Sequence, residues 1–114
     1  MTRFIFPPSH RIRQRREFER AFSTKALSNK WFSIHIIDSE HETPRLGMVV
    51  SKRIMPKSVT RNFAKRLIRE LFRHCIAELP VKDFVVKVRR SLNSQSSGEA
   101  KLALLQLMQS TKVS

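Results

Sequence analysis

The sequence has a single cysteine, Cys75, in 114 residues. A lone cysteine excludes an internal disulfide and any zinc site built on paired thiolates. It reads as a small buried apolar residue in a reducing compartment. Acidic residues are scarce too, with nine Asp and Glu in all. The four histidines, His10, His35, His41 and His74, are scattered, so no Asp, Glu and His cluster has metal-site spacing. No apolar run approaches membrane-spanning length. The opening Met-Thr-Arg-Phe-Ile-Phe-Pro-Pro is too short in apolar residues for a signal peptide, so a cytoplasmic protein is expected. Glycine and proline number only two and five, and there are no internal repeats. With 40% hydrophobic residues in periodic clusters, the expectation is one folded domain over 1–114, with an extended arm at 1–10 and a flexible tail at about 110–114.

What the chain has in excess is positive charge. Lys and Arg total 23, for a net charge of +14 and a pI near 11.5. A compact body so charged repels itself unless polyanions neutralise it, and solubility alone requires far less. Nucleic acid is the expected partner, and an anionic membrane surface the competing one.

The coarse elements follow from spacing. Pro7 and Pro8 oppose helix in the arm. From Arg13 to Phe22 the residues Phe18, Ala21 and Phe22 fall at i, i+3, i+4, which predicts a helix. Trp31 to Asp38 alternates and is rich in β-branched and aromatic residues, so it reads as a strand. A polar turn over Glu40 to Pro44 leads to a second strand, Leu46 to Ser51, expected to pair antiparallel with the first because the connection is short. Gly47 inside it suggests a bulge or a close backbone approach. After Pro56 a long helix is predicted from Ser58 to Leu79, stopped by Pro80. A third strand over Asp83 to Arg89 places Phe84, Val86 and Val88 on one face and Val85, Lys87 and Arg89 on the other. A last helix from Ser97 or Gly98 sets Leu102, Leu105 and Met108 on a buried stripe. The class is α+β, a small mixed sheet with helices packed on it, in the order α-β-β-α-β-α.

On a helical wheel the long helix gathers Ala64, Leu67, Ile68, Leu71, Phe72, Cys75 and Leu79 on a core face. Asn62, Lys65, Arg66, Arg69 and Arg73 share an adjoining arc of roughly 100°. Solvated charged faces normally mix signs so that i, i+4 pairs support the helix. Here Arg61, Lys65, Arg69 and Arg73 repeat one sign at every turn, and Glu70 is the only acid among them. An anion relieves that repulsion, and arginine suits bidentate phosphate contacts. The helix start near Ser58 to Arg61 adds its dipole and free N–H groups.

Ser51-Lys52-Arg53 after a glycine-containing strand, followed by Arg61-Asn62-Phe63-Ala64-Lys65-Arg66-Leu67-Ile68-Arg69-Glu70, resembles the signature of the bacterial ribonuclease P protein component. The likeness extends from the Phe18/Phe22 helix to the strand around Val86. The chain departs from the pattern at Ser58, where the family usually has alanine. It departs also at Phe63, where arginine is common; a ring that can stack or pack stands there instead. The resemblance implies that the protein binds a large catalytic RNA through Lys52, Arg53, Lys57, Arg61, Asn62, Lys65, Arg66, Arg69 and Arg73. That RNA, with magnesium bound, hydrolyses the phosphodiester at the 5′ end of mature tRNA, so no catalytic side chain, no metal held by the protein alone and no obligate protein partner are expected.

The resemblance also implies a cleft between the first helix and the sheet for the single-stranded 5′ leader of precursor tRNA. Phe18, Phe22 and His35 carry this over, with Arg13, Arg16, Lys87, Arg89 and Arg90 able to supply charge. Rings beside cations fit such a site, because bases stack on the rings while the cations track phosphates. A phenylalanine pair at i, i+4 fits a core equally well, and of the two Phe22 leans more to the core. The family fold further implies a left-handed crossover joining parallel strands around the long helix, against the usual hand. A ribosomal or other structural RNA-binding protein is the alternative. A DNA-binding helix-turn-helix fits poorly, since a strand and loop precede the basic helix.

Overall fold

The structure is a computed structural model that describes residues 15–38 and 42–110. The arm, Arg13, Glu40 and the tail from 111 onward lie outside the described residues. The elements are α1 (Arg15–Phe22), β1 (Ala26–Ser28), β2 (Phe32–Asp38), β3 (Arg45–Val49), α2 (Ser58–Cys75), β4 (Lys82–Val88) and α3 (Ser97–Ser110), with a 3-10 turn at Ile76–Glu78. The α+β class and the predicted sequence of elements hold, with β1 added. Three residues are too few to carry a period, and β1 forms because it pairs antiparallel with β2, from Ala26↔His35 to Ser28↔Ser33.

The sheet runs in the order β1-β2-β4-β3. The expected hairpin between β2 and β3 is therefore absent: β4 lies between them, antiparallel to β2 and parallel to β3. The reason lies in β4 itself. Phe84, Val85 and Val86 are all fully enclosed, so this strand is apolar on both faces and belongs at the centre of a covered sheet. Val85, assigned by alternation to the same face as Lys87, lies under α1 with Ala21 and Ile37. The parallel neighbours β3 and β4 are joined through α2, so the parallel crossover around the long helix is present. Register from Arg45↔Asp83 to Val49↔Lys87 is unbroken, so Gly47 marks no bulge.

Cross-strand pairing sorts the side chains. Leu46, Phe84, Val86, Ile34 and Phe32 join the main core with α2 and α3, where Phe72 meets Phe84 edge to face at 5.8 Å between centroids. From α2 come Ala64, Leu67, Ile68, Phe72 and Cys75, as the wheel predicts; Leu71 is half-buried. The helix stops at Cys75 rather than Leu79, yet Leu79, just after the 3-10 turn, stays buried in the main core. The phase of α3 differs from expectation. Ala100, Leu104, Leu107 and Met108 are buried, Leu105 is half-buried, and Leu102 is 56% exposed. Leucines at 102, 104, 105 and 107 span much of the circumference, so apolar spacing could not fix the phase.

On the opposite face, α1 crosses β2 and β4 through Ala21, Ile37 and Val85, with Phe18 and Val49 partly buried beside them. At its margin Arg45 donates to both Asp83 carboxylate oxygens, Nε–Oδ1 at 2.9 Å and Nη2–Oδ2 at 2.7 Å. This nearly enclosed bidentate pair ties β3 to β4. Among the described residues no helix is long and apolar enough to cross a membrane.

Candidate nucleic-acid interface

The loop before α2 is built to present cations. Ser51 C=O accepts from Ile54 N–H and Met55 N–H, Ser51 Oγ accepts from Arg53 N–H at 3.0 Å, and Met55 is fully buried as the anchor. Lys52 and Arg53 are left exposed at the turn, with Lys57 exposed at the helix start. Lys57 caps α2 with extended backbone and no side-chain hydrogen bond, and the first turn holds no acid. The positive end of the helix dipole thus meets no counter-charge from the helix's own first turn.

Along α2 the basic arc divides by environment. Asn62 and Arg66 are exposed, and Lys65 is half-buried. Arg61 Nη1 donates to the Met55 carbonyl at 3.0 Å and the Pro56 carbonyl at 2.7 Å, so this arginine staples the loop to the helix. Arg73 is paired with Glu70 at 2.9 Å, three residues away. Half-buried Arg69 lies between these two along the arc. The stack of like charges is therefore relieved at both ends by the protein and remains open in the middle, at Asn62, Lys65 and Arg66.

On the other face of the sheet Phe22 departs from its expected place. Phe22, which leaned toward the core, is 42% exposed, and Phe18 is half-buried. The cause is Ala21, which lets α1 dock close to the sheet and leaves Phe22 turned toward the open side. There the Phe22 ring meets His35 edge-on, 5.2 Å between centroids at 79°. His35 Nδ1–H donates to the Thr24 carbonyl at 3.1 Å, which fixes the imidazole as a partner for the ring.

Phe22 borders a cleft of about 470 Å³ with Arg15 and Phe18 on the same wall, Met48 to Val50 beneath, and Lys65 of α2 opposite; His35 does not line it and reaches it only through its contact with Phe22. Arg15 is a wall residue that sequence reasoning missed; it is mostly exposed and pairs with Glu19 at 3.2 Å. Lys65 was assigned to the basic helix alone, and the fold makes it common to both surfaces. Its second role has no signal in the sequence, because it depends on β3 lying at the sheet edge nearest α2. Arg16 and Lys87 are exposed but do not line the cleft. Lys87 shares a row with Val49 and Ser33, on the same sheet face. Arg89 instead donates to the Asn29 carbonyl, and Arg90 lies 5.6 Å over the Trp31 ring, at the far end of β2. Arg13 lies outside the described residues.

The chain as a whole is similar to known proteins. The family model described as Ribonuclease P matches residues 6–112. The chain is 35% identical over 99 residues to the ribonuclease P protein component of Psychrobacter sp. (strain PRwf-1), covering 85% of this chain and 76% of that one. To its counterpart in Azoarcus sp. (strain BH72) it is 33% identical over 103 residues, covering 90% and 86%. Among solved structures, the Staphylococcus aureus RNase P protein superposes with a TM-score of 0.82 at 27% identity, covering 91% of this chain and 96% of that one. The Thermotoga maritima RNase P protein gives 0.72 at 31% identity, covering 88% and 96%.

Proposed function

Because the chain belongs to the ribonuclease P protein family, and so is a protein subunit of that RNA-processing ribonuclease, we propose how its two surfaces divide the work. The exposed middle of α2, with the Lys52–Lys57 loop, binds the catalytic RNA. Asn62, Lys65 and Arg66 make the closest phosphate contacts, while Arg61 acts mainly by holding the loop in place. The cleft under α1 takes the single-stranded 5′ leader of precursor tRNA, bases stacking on Phe22 and Phe18 and phosphates met by Arg15 and Lys65. Hydrolysis belongs to the RNA and its magnesium ions; the chain's residues orient substrate and neutralise phosphate charge.

The observation that carries this reading is the shared wall at Lys65. A cleft for single-stranded nucleic acid opening directly onto a phosphate-binding helix is what a protein needs to hold leader and catalytic RNA side by side. Nothing favours a ribosomal role instead. Reconstitution with ribonuclease P RNA tests the proposal: precursor-tRNA cleavage at low magnesium should be strongly stimulated by the protein. Absence of stimulation, with RNA that is active at high magnesium, overturns it.

A further inference from the structure

A second groove lies where α2 meets the start of α3, beside the face used in the division above and sharing Arg66 with it. Its volume is about 330 Å³. Phe63 and Arg66 line it from α2, Ser94 and Ser97 from the loop and helix start, and Lys101 from α3. Phe63 is half-buried at the edge of the main core. Arg66 and Lys101 are both exposed and neither is ion-paired with a described residue. The one acid in the wall, Glu70, is already engaged by Arg73 at 2.9 Å, so it does not answer either cation.

The loop that forms the far wall is held in one shape. Asn93 Oδ1 accepts from the N–H groups of Gln95 at 2.9 Å and Ser96 at 3.0 Å, and Ser97 Oγ donates to the Ser94 carbonyl at 2.9 Å. The groove is therefore a preformed concavity. An aromatic ring sharing a groove with two cations that pair with no described residue, and with the hydroxyl groups of a fixed loop, is the composition of a single-nucleotide site: the ring stacks a base, the cations take the flanking phosphates, and hydroxyls meet polar edges. Core packing alone accounts for the buried side of Phe63, but not for the two cations held apart from the available acid. The volume is at the lower end of those that enclose small ligands, which suits one nucleotide.

We propose that this groove receives one unstacked nucleotide of ribonuclease P RNA, its base on Phe63 and its phosphates on Arg66 and Lys101. The inference rests on the reading that α2 faces that RNA. Phe63, where the family pattern has arginine, then exchanges a charge contact for a stacking contact.

The test measures binding of the full chain to ribonuclease P RNA together with base-specific chemical probing of the RNA. Phe63→Leu keeps apolar packing without the ring and should weaken binding about ten-fold, within the range for one stacked base, while Phe63→Tyr stays within about two-fold of wild type. One unpaired base protected by the wild-type protein should become reactive with Phe63→Leu. Lys101→Ala should lower the slope of log affinity against log salt by about 0.7 to 0.9. Unchanged affinity and protection in Phe63→Leu, with Arg66→Ala still weakening binding, overturns the nucleotide site and leaves the basic-helix reading intact. If Arg66→Ala is silent as well, both fall. Should thermal melting show Phe63→Leu unfolded, loss or retention of the same protected base in Lys101→Glu decides.

Discussion

Phe22 and Phe18 differ by one turn of helix and by their surroundings. Phe22 has a partner in His35 and an open face, whereas Phe18 packs against Ala21, Ile37 and Val85. Replacing Phe22 with alanine should leave unfolding stability within about 1 kcal/mol of wild type, because little buried area is lost. Its affinity for a single-stranded leader should fall by about 1–3 kcal/mol, the cost of removing one stacking platform. Phe18→Ala should lower both. Denaturant unfolding beside titration of a leader-bearing precursor tRNA separates the two effects, and equal stability losses would return Phe22 to the core. Arg61 shows why residue identity did not reveal residue role. It sits in the signature between exposed cations, yet its guanidinium is directed at Met55 and Pro56 carbonyls that only the folded loop supplies. Arg45 and Asp83 were no part of any motif, and they meet only because β3 and β4 are parallel neighbours. In both cases a long-range juxtaposition decides, and spacing along the chain carries no trace of it.

At the scale of elements, helices and strands were legible where one face differs clearly from the other. The core face of α2 was readable because its apolar residues recur at 3.6-residue spacing among charges. The phase of α3 was not, since its leucines surround the helix, and packing on α2 and β2 chose Leu104 over Leu102. That choice has a measurable signature. Leu104→Ala should cost about 2–5 kcal/mol in unfolding free energy, as for other enclosed leucines. Leu102→Gln should fall within about 0.5 kcal/mol of wild type. Comparable losses would mean that the helix is rotated from the orientation described. Strand pairing was the least readable level. A short β2–β3 connection suggests a hairpin, and only the two-sided burial of β4 argues for a strand inserted between them. The candidate site inherits this limit: the basic helix was visible in the sequence, while Arg15 and the cleft-facing role of Lys65 follow from sheet order.

For the whole molecule the governing quantity is charge. A net +14 on a chain of this size destabilises the compact state by self-repulsion and draws it to polyanions. These two consequences respond to salt with opposite sign. Raising sodium chloride from about 50 to 200 mM spans a shortening Debye length, so the free protein should melt at a higher temperature. Over the same interval affinity for ribonuclease P RNA should fall steeply, because releasing counterions into a more concentrated solution gains less entropy. A melting temperature that falls with salt would place more stability in exposed ion pairs than the described pairs account for. Among the described pairs only Arg45 with Asp83 is nearly enclosed, and such a pair is little screened.

The central place of β4 also has a consequence for the order in which the molecule can be made. Both neighbours of that strand, β2 and β3, precede it in the chain, and neither pairs with the other. As the polypeptide leaves the ribosome, β3 has no strand to pair with, and β2 only the three-residue β1, until residues 82–88 have been synthesised. Before then only β1 with β2 and the isolated helices can form, and neither buries the main core. Completion of this fold therefore waits on a late, non-local insertion, the kind of step that slows folding and exposes unpaired strand edges. The same excess of Lys and Arg that suits the finished protein to RNA keeps those nascent chains apart from one another while they wait.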